Sequence, residues 1–205
     1  MPRRYRLGRR VELKESTRAR IVQAAVDLYT EIGISATTMR AVARRADVAP
    51  ATALNHFPSR EDLDRAVLDR ALAEMAPPDV SVIDPEAPLA SRVGRLCREA
   101  GAFFDRAAPW YRMWLREPLN KGVYATAGAN VGSQWDQLFR SALGGLAADA
   151  DAMALLRATM HPMFFEAVRA GQRSTEATSD LIAGLLTTWL EQRRASVSLA
   201  QSTVT

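Results

Sequence analysis

Residues 37–57 place two short helix candidates on either side of a break of only a few residues. The first, TTMRAVARRA, has Thr37 as its N-cap and runs to Ala46, and the second, PATALNH, begins at Pro50. Proline is tolerated there because the first turn of a helix needs no N–H from it. Asp47 stands in the break, where a tight turn needs a residue that tolerates positive φ. A helix as short as PATALNH is marginal in water, so neighbouring helices must hold it in place.

Two further helix candidates flank this pair. Residues 17–32 carry apolar side chains at steps of three or four, and Gly33 ends that helix. Phe57 is placed to anchor the short helix in the core. Ser59 as N-cap and Asp62 at the third helical position predict a fourth helix that starts with a capping box. The sequence therefore predicts one compact unit of four helices.

Positive charge is concentrated at the start of the chain. The first twenty residues hold eight basic and two acidic side chains, a local net charge of +6, whereas the 205-residue chain carries +4 in total. Residues 21–205 therefore sum to −2. A basic arm over residues 1–15 suits a polyanion, although a solvated, disordered tail explains the same composition.

The pair of short helices, backed by a third helix, has the helix-turn-helix arrangement, which presents its second helix to the DNA major groove. The stretch TTMRAVARRADVAPATALNHFPSREDL, preceded by a helix ending in EIG, resembles the DNA-binding domain of the TetR family of bacterial transcriptional regulators over residues 16–70. The resemblance implies an all-α fold of about nine helices, with an N-terminal three-helix DNA-binding domain and a C-terminal helical domain for ligand binding and dimerisation. It also implies a ligand-responsive transcriptional repressor that binds a palindromic operator as a homodimer and is released by a small, mostly apolar effector.

The short helix departs from the family pattern in ways that limit its polar contacts. Asp47 replaces the usual glycine of the turn, Ala49 cannot cap the helix, and Leu54 replaces a tyrosine that would donate to phosphate. Asn55 carries the donor and acceptor pair that suits adenine, with a phosphate contact as the alternative. Thr52 offers a hydroxyl that matches a family position contacting the DNA backbone. The apolar members Pro50, Ala51 and Leu54 are expected to pack on thymine methyl groups.

Arginines supply the expected phosphate contacts. Arg18, Arg40, Arg44 and Arg60 lie around the predicted DNA face, whereas Arg45 lies on a different face of its helix. The basic arm is expected to lie along the DNA backbone or to enter the minor groove. His56 is interpreted as a structural residue more readily than as a contact. The full predicted DNA-binding set is Arg18, Thr37, Arg40, Arg44, Pro50, Ala51, Thr52, Leu54, Asn55, His56 and Arg60.

The composition changes after a DNA-binding domain over residues 16–75. Residues 76–88 hold four prolines and predict a linker. A second domain is expected over 89–195, followed by a flexible tail at 196–205. Helical periodicity returns over 86–107, 109–119, 127–146, 148–171 and 175–193. Aromatic and sulfur side chains concentrate there and serve either as plain core or as the lining of an adaptable pocket. His161 before Pro162 offers either a polar contact in that pocket or a simple helix kink. The candidate ligand set is Phe104, Trp110, Met113, Trp114, Trp135, Phe139, Met160, His161 and Phe164.

The last helices carry a broad apolar stripe that suits a four-helix bundle formed with a second copy of the chain. Gly184 allows close approach of two helices there. A two-fold dimer would place two reading helices one or more DNA turns apart. The predicted interface residues are Leu155, Leu156, Met163, Leu181, Leu185 and Trp189.

Other function classes find little support. Two histidines 105 positions apart and the single Cys97 provide neither a zinc set nor a catalytic pair, and GANVGS at 128–133 is neither a phosphate loop nor a nucleophile elbow. We therefore expect no enzyme activity, no metal and no cofactor. The single cysteine and the absence of an apolar targeting or membrane segment predict a cytoplasmic protein. An activator or a ligand-independent regulator of the same fold, or a helical adaptor without DNA activity, are the alternatives.

Overall fold

The described part of the chain is all-helical in this computed structural model, which describes residues 3–114, 122–170 and 172–202 and the side chains of 10–114, 122–170 and 172–196. Over those ranges it has nine α-helices and no strand. The helices are α1 Arg3–Ile32, α2 Met39–Arg45, α3 Pro50–His56, α4 Arg60–Met75, α5 Leu89–Trp114, α6 Gly122–Leu143, α7 Ala150–Thr159, α8 Pro162–Arg169 and α9 Thr175–Ser202. The predicted fold class is confirmed.

The chain divides into two compact units. The first consists of Met1–Glu74 and Pro109–Ala127, and the second of Met75–Ala108 and Gly128–Thr205. In the first unit α2 packs against both α1 and α3. The buried face of α1 is the predicted apolar stripe, with Ile21 and Ala25 fully enclosed. The helix-turn-helix therefore has the core that its short helices require.

The first helix is longer than predicted. It begins at Arg3, whereas the apolar stripe predicted a start near residue 17. The segment before the stripe has no periodic apolar face from which a helix could be predicted. Its arginine, leucine, lysine and glutamate residues nevertheless favour a helix over most of its length. Val11 and Leu13 are accordingly exposed. From Arg3 onward, the basic arm is therefore part of α1.

In the second unit α7, α8 and α9 pack against one another. The predicted helix over 148–171 is two helices in the structure, because Met160 and His161 leave helical geometry ahead of Pro162. A residue before proline is driven away from the α conformation. Position 171 lies outside the described residues.

Other boundaries moved as well. The break expected between 107 and 109 is absent, since Pro109 lies inside α5, and the predicted helical residues 115–119 lie outside the described ranges. The last helix continues to Ser202, past the predicted helix end at 193 and into the segment predicted as a flexible tail from 196. Arg193 in that helix donates to the carboxylates of Asp149 and Asp151, each at 2.8 Å.

The predicted linker over 76–88 is packed onto the second unit. Ile83 within it is 3% exposed, and Arg106 donates to the carbonyls of Met75 and Ala76 at 2.8 and 3.0 Å. Arg92 donates to the carbonyl of Ala87 at 2.6 Å and to that of Ala142 at 3.0 Å. These arginine contacts give the proline-rich segment a fixed course.

Within the described ranges, no helix combines the length and apolar character needed to cross a membrane.

Candidate nucleic-acid interface

The turn between α2 and α3 is closed by backbone hydrogen bonds. The N–H of Val48 donates to the carbonyl of Ala43 at 3.0 Å, and the N–H of Asp47 donates to that of Arg44 at 3.2 Å. This pair of bonds is the Schellman motif, which needs a residue with positive φ after the helix. Asp47 supplies it, with φ of 53°. The prediction for Asp47 is confirmed.

Helix α3 starts as expected from the sequence. Its N-cap Ala49 makes no side-chain bond, and Pro50 occupies the first turn. The carbonyl of Ala49 instead accepts from the N–H groups of Thr52 and Ala53, at 2.9 and 3.2 Å. Backbone contacts therefore hold the start of α3 without help from a capping side chain.

One side of α3 faces the core and the other faces solvent. Ala53 and the following Phe57 are each 1% exposed, whereas Leu54 is 48% exposed. The exposed positions of this helix are Pro50, Ala51, Leu54 and Asn55, and we call them the α3 outer face. Thr52 and His56 are half-buried at its edges. Four of the predicted contacts thus lie together on one exposed surface.

Arg18 braces the end of α3. Its guanidinium lies over the Phe57 ring, 4.3 Å from the centroid, and Nη1 is 3.4 Å from the carbonyl oxygen of His56. A cation is favourable at the C-terminus of a helix, where the carbonyl groups point outward. A phosphate contact by Arg18 stays a prediction, but its main contacts are with α3.

Two arginines of α2 remain available. Arg40 and Arg44 are exposed, and neither guanidinium has a hydrogen bond or ion pair with any residue that the structure describes. They are four residues apart, so they lie on the same side of α2. Arg45 differs, because it forms two bonds to Glu31 at 2.8 and 2.6 Å. Those bonds lower the pKa of the Glu31 carboxyl and tie α2 to α1.

The cap of α2 is one residue later than predicted. Thr38, not Thr37, is the N-cap, and its hydroxyl accepts from the N–H of Ala41 at 3.1 Å. Thr37 is 2% exposed and donates to the carbonyl of Gly33 at 2.8 Å. Its hydroxyl is enclosed by the domain, so we remove Thr37 from the candidate DNA contacts.

Arg60 also has a different role from the predicted one. Its guanidinium donates to the carbonyls of Ile34 and Thr37, the former at 2.8 Å, and Nε donates to Asp64 at 2.9 Å. The same group lies 4.9 Å from the centroid of the Tyr29 ring. All three guanidinium nitrogens are bonded inside the first unit, so the main contacts of Arg60 fix the loop ahead of α2. A phosphate contact by its remaining N–H groups stays a prediction.

Asp64 and Tyr29 complete this network, and sequence reasoning missed both. The Tyr29 hydroxyl donates to Asp64 at 2.5 Å, and Tyr124 donates to the same carboxylate oxygen at 3.3 Å. Burial, together with the bond to Asp64, raises the pKa of Tyr29. The spacing of Arg60 and Asp64, four residues apart on one helix, was the available signal.

The capping box at the start of α4 is confirmed. The N–H of Asp62 donates to Ser59 Oγ at 3.1 Å, and the N–H of Ser59 donates to the Asp62 carboxylate at 3.0 Å. The Ser59 hydroxyl donates to that carboxylate as well, at 2.6 Å. These bonds lower the pKa of Asp62.

The basic arm has a defined backbone. As part of α1 it is a helix from Arg3 onward, and an α-helix with side chains is about 10–12 Å wide. The minor groove of B-DNA is about 6 Å wide. A helical arm is too wide to enter that groove as a whole, which favours a course along the phosphate backbone. The position of the arm on DNA stays a prediction.

The predicted ligand residues are divided between the two units. In the second unit the rings of Phe103, Phe104, Trp135, Phe139 and Phe165 form a chain of contacts with centroids 5.0–6.0 Å apart. We call these five rings the aromatic cluster. Met160, at the C-terminal end of α7, is also buried. Three other members, Trp110, Met113 and Trp114, belong to the first unit.

His161 and Phe164 lie at the start of α8. The His161 ring nitrogen Nδ1 accepts from the N–H of Met163 at 3.2 Å, so the imidazole is the N-cap of that helix. His161 is exposed and Phe164 is half-buried. The kink interpretation of the His161–Pro162 pair therefore accounts for the observed contacts.

The predicted dimer residues divide by exposure. Met163, Leu181 and Leu185 are exposed, at 61%, 42% and 62%. A shallow groove along α9 is lined by Asp180, Leu181, Gly184, Leu185, Thr188, Trp189 and Gln192. Leu156 is fully buried in its own chain. It is unavailable to a partner, so we remove it from the candidate interface.

Comparisons with known proteins agree with this geometry. The family profile described as "Bacterial regulatory proteins, tetR family" matches residues 21–67. The HTH-type transcriptional regulator UidR of Escherichia coli is 34% identical over 68 residues, covering 31% of this chain and 35% of UidR. The HTH-type transcriptional repressor Rv3405c of Mycobacterium tuberculosis is 38% identical over 74 residues, covering 33% of this chain and 39% of the repressor.

The matched part spans little more than a third of these curated relatives. The structural likeness extends over more of the chain. A solved TetR-like transcriptional regulator from Rhodococcus sp. RHA1 superimposes with a TM-score of 0.61, covering 85% of this chain and 96% of that chain. Its sequence is 19% identical, so the likeness concerns the fold alone.

Proposed function

We propose that this chain, which belongs to the TetR family of bacterial regulatory proteins, binds duplex DNA through α3 and regulates transcription in the cytoplasm. One observation carries the proposal. The α3 outer face is exposed and directly follows a turn closed by two backbone hydrogen bonds. The α2 helix before that turn carries the exposed Arg40 and Arg44, which have no partner among the described residues. A helix-turn-helix uses its second helix to reach base edges while the first crosses the phosphate backbone.

The distribution of arginines supports separate roles for positioning and reading. Phosphate contacts fix the register of a protein on DNA and carry no sequence information. Arg40 and Arg44 fit this role because both side chains are exposed and neither forms an ion pair within the part of the chain that the structure describes. Two other arginines have partners within the domain. Arg45 ties α2 to α1, and Arg60 holds the loop ahead of α2. Base contacts then fall to the α3 outer face.

A homodimer is part of the proposal. Leu181 and Leu185 on α9 and Met163 on α8 expose large apolar side chains. Apart from the adjacent residues and backbone of its own helix, no described atom lies within 4 Å of the position that a Cβ on Gly184 would take. A two-fold interface uses the same patch on both copies. Trp189 lies in the same groove and Leu155 is half-buried on α7. The expected interface is therefore α9 and its α8 neighbour from each copy.

Repression relieved by a small apolar effector completes the proposal. The aromatic cluster is a mostly apolar region between helices, the setting in which helical domains bind small ligands. The name of the mycobacterial relative as a transcriptional repressor supports repression. If the effector favours a conformation that binds DNA less well, each ligand weakens the other by the same factor. A coupling of about 1–3 kcal/mol changes DNA affinity about 5–150-fold.

The direct test is equilibrium binding to labelled duplexes from the DNA that flanks the gene, followed by fluorescence anisotropy over a range of salt concentrations. We expect a linear fall of log K with log salt and tighter binding than to a scrambled duplex. Equal, salt-insensitive binding of both duplexes would contradict the proposal.

Light scattering tests the dimer. The Leu185→Arg variant should disrupt it, whereas Val80→Arg, at an exposed control position, should leave it intact.

A further inference from the structure

Resting on the proposed function, we infer that this protein recognises its DNA site chiefly through thymine 5-methyl groups, with Leu54 as the central specificity-determining residue. The preferred half-site is accordingly rich in A·T pairs. The inference comes from the order of side chains on the α3 outer face and from the absence of any cation among them.

The order follows from helix geometry. Successive residues of an α-helix are about 100° apart, so the α3 outer face covers an arc of about 140° in the order Pro50, Leu54, Ala51, Asn55. Leu54 thus lies between two other apolar residues, and Asn55 lies at one edge. Ala53, which is 1% exposed, lies outside this arc. The most protruding side chain at the middle of the reading surface is a leucine.

The chemistry of the arc selects among base pairs. Guanine is read best by arginine or lysine through O6 and N7, and α3 contains neither residue. Asn55 is the one amide on the arc, and its donor and acceptor match adenine N6 and N7. The thymine methyl is the one apolar group in the major groove of unmodified DNA. Leu54, flanked by Pro50 and Ala51, is complementary to that group.

The charged groups of the domain do not offset this preference. Arg18 and Arg60 contact carbonyls and aromatic rings of the first unit. Arg40 and Arg44 belong to α2, the helix that crosses the backbone when a helix-turn-helix docks. Base selection is therefore left to the α3 outer face, where apolar contact dominates.

Deoxyuridine provides the probe, because it keeps every hydrogen-bonding group of thymidine and lacks only the 5-methyl. A duplex selected by the full-length protein from a random library is synthesised with thymidine or with deoxyuridine in its half-sites. Burial of one methyl corresponds to about fourfold in affinity. We expect each critical replacement to weaken binding about fourfold, measured by anisotropy.

Two variants locate the effect. The Leu54→Ala variant should bind the two duplexes with almost equal affinity when the replaced thymidines are those that Leu54 contacts. Ile32→Ala is the matched control, since Ile32 is a similarly exposed aliphatic residue, 52% against 48%, at the end of α1. The control variant should keep the full difference between the two duplexes.

The outcomes separate the inference from the function on which it rests. Selected half-sites dominated by G·C pairs, or equal affinity of the wild type for both duplexes, would overturn methyl recognition while duplex binding stands. A deoxyuridine effect that persists in Leu54→Ala would overturn the assignment to Leu54. Failure to bind any duplex would overturn the proposed function and this inference with it.

Discussion

Different interactions stabilise two regions of the molecule. One is the α2–α3 segment, which carries the candidate DNA face, and the other is the aromatic cluster of the second unit. Around α2 and α3, directional bonds from Arg60, Ser59 and the turn at Asp47 hold backbone groups at fixed distances. In the cluster, rings meet edge to face or stacked, with centroids 5.0–6.0 Å apart. Directional bonds define one position, whereas apolar contacts allow several packings of similar energy.

The difference matches what each region would have to do. A reading helix gains affinity when its position is fixed before DNA arrives, because less order is then imposed on binding. A region that admits varied apolar ligands benefits from side chains that can repack. The comparison predicts that polar substitutions disturb the first region selectively and that truncation of rings disturbs the second.

The largest effect is expected in the aromatic cluster. Phe165 is 1% exposed and contacts the ring of Phe104, so Phe165→Ala should reduce the free energy of unfolding by about 3–5 kcal/mol. Phe164→Ala, at the half-buried neighbouring position, is the control and should cost clearly less. Urea unfolding followed by circular dichroism measures both. Equal losses would show that the cluster is not a packed core.

The next effect tests the polar network of the first unit. Arg60→Ala removes the bonds to Ile34, Thr37 and Asp64 and leaves the half-buried carboxylate without its cation. We expect a loss of about 3 kcal/mol in unfolding free energy, measured in the same way, together with weaker DNA binding.

Arg65→Ala is the control for Arg60. Arg65 lies on the same helix in an exposed pair with Glu61, with side chains 62% and 65% exposed. Such pairs contribute about 0–1 kcal/mol. A comparable loss in the two variants would contradict the assignment of Arg60 as the residue that fixes the loop before α2.

A third prediction separates phosphate contact from stability. The double variant Arg40→Ala/Arg44→Ala should bind every duplex about thirtyfold more weakly at 0.15 M salt, with the slope of log K against log salt less steep by about 2. Unfolding should be unchanged. Arg45→Ala, which loses only the exposed contact to Glu31, should keep the wild-type slope; a reduced slope there would contradict the assigned faces of α2.

The smallest effect concerns the capping box. Ser59→Ala should reduce the unfolding free energy by about 1 kcal/mol at neutral pH. The pKa of Asp62 is lowered by the bonds from Ser59, so that part of the stability is present above the ordinary Asp pKa of about 3.9. It is lost as the pH falls through the lower folded value. The difference between wild type and variant should therefore narrow in acid, and a constant difference would contradict the bond between the two side chains.

The features that sequence reasoning predicted are those with local chemical causes. The start of α3 at Pro50, the positive φ of Asp47 and the capping box at Ser59 each depend on residues within a few positions of one another. Even so, the sequence favours Thr37 as the cap of α2, whereas the structure has Thr38 there. Either threonine can cap a helix, and only the packing of Thr37 against Gly33 distinguishes them.

The features that the sequence did not predict depend on distant partners. Arg60 reads as a surface cation until the carbonyls of Ile34 and Thr37 are seen beside it. The buried state of Leu156 likewise follows from tertiary packing, since its helical periodicity suits an interface equally well. Periodicity shows which face of a helix is apolar, but not what covers that face.

The central claim is that the α3 outer face enters the major groove of duplex DNA, twice in each dimer. The most direct measurement is a nuclease footprint of the wild-type protein on the DNA flanking its gene. We expect protection of an inverted repeat whose half-sites are one or more helical turns apart. Uniform cleavage at protein concentrations that saturate a control repressor on its own operator would contradict the claim.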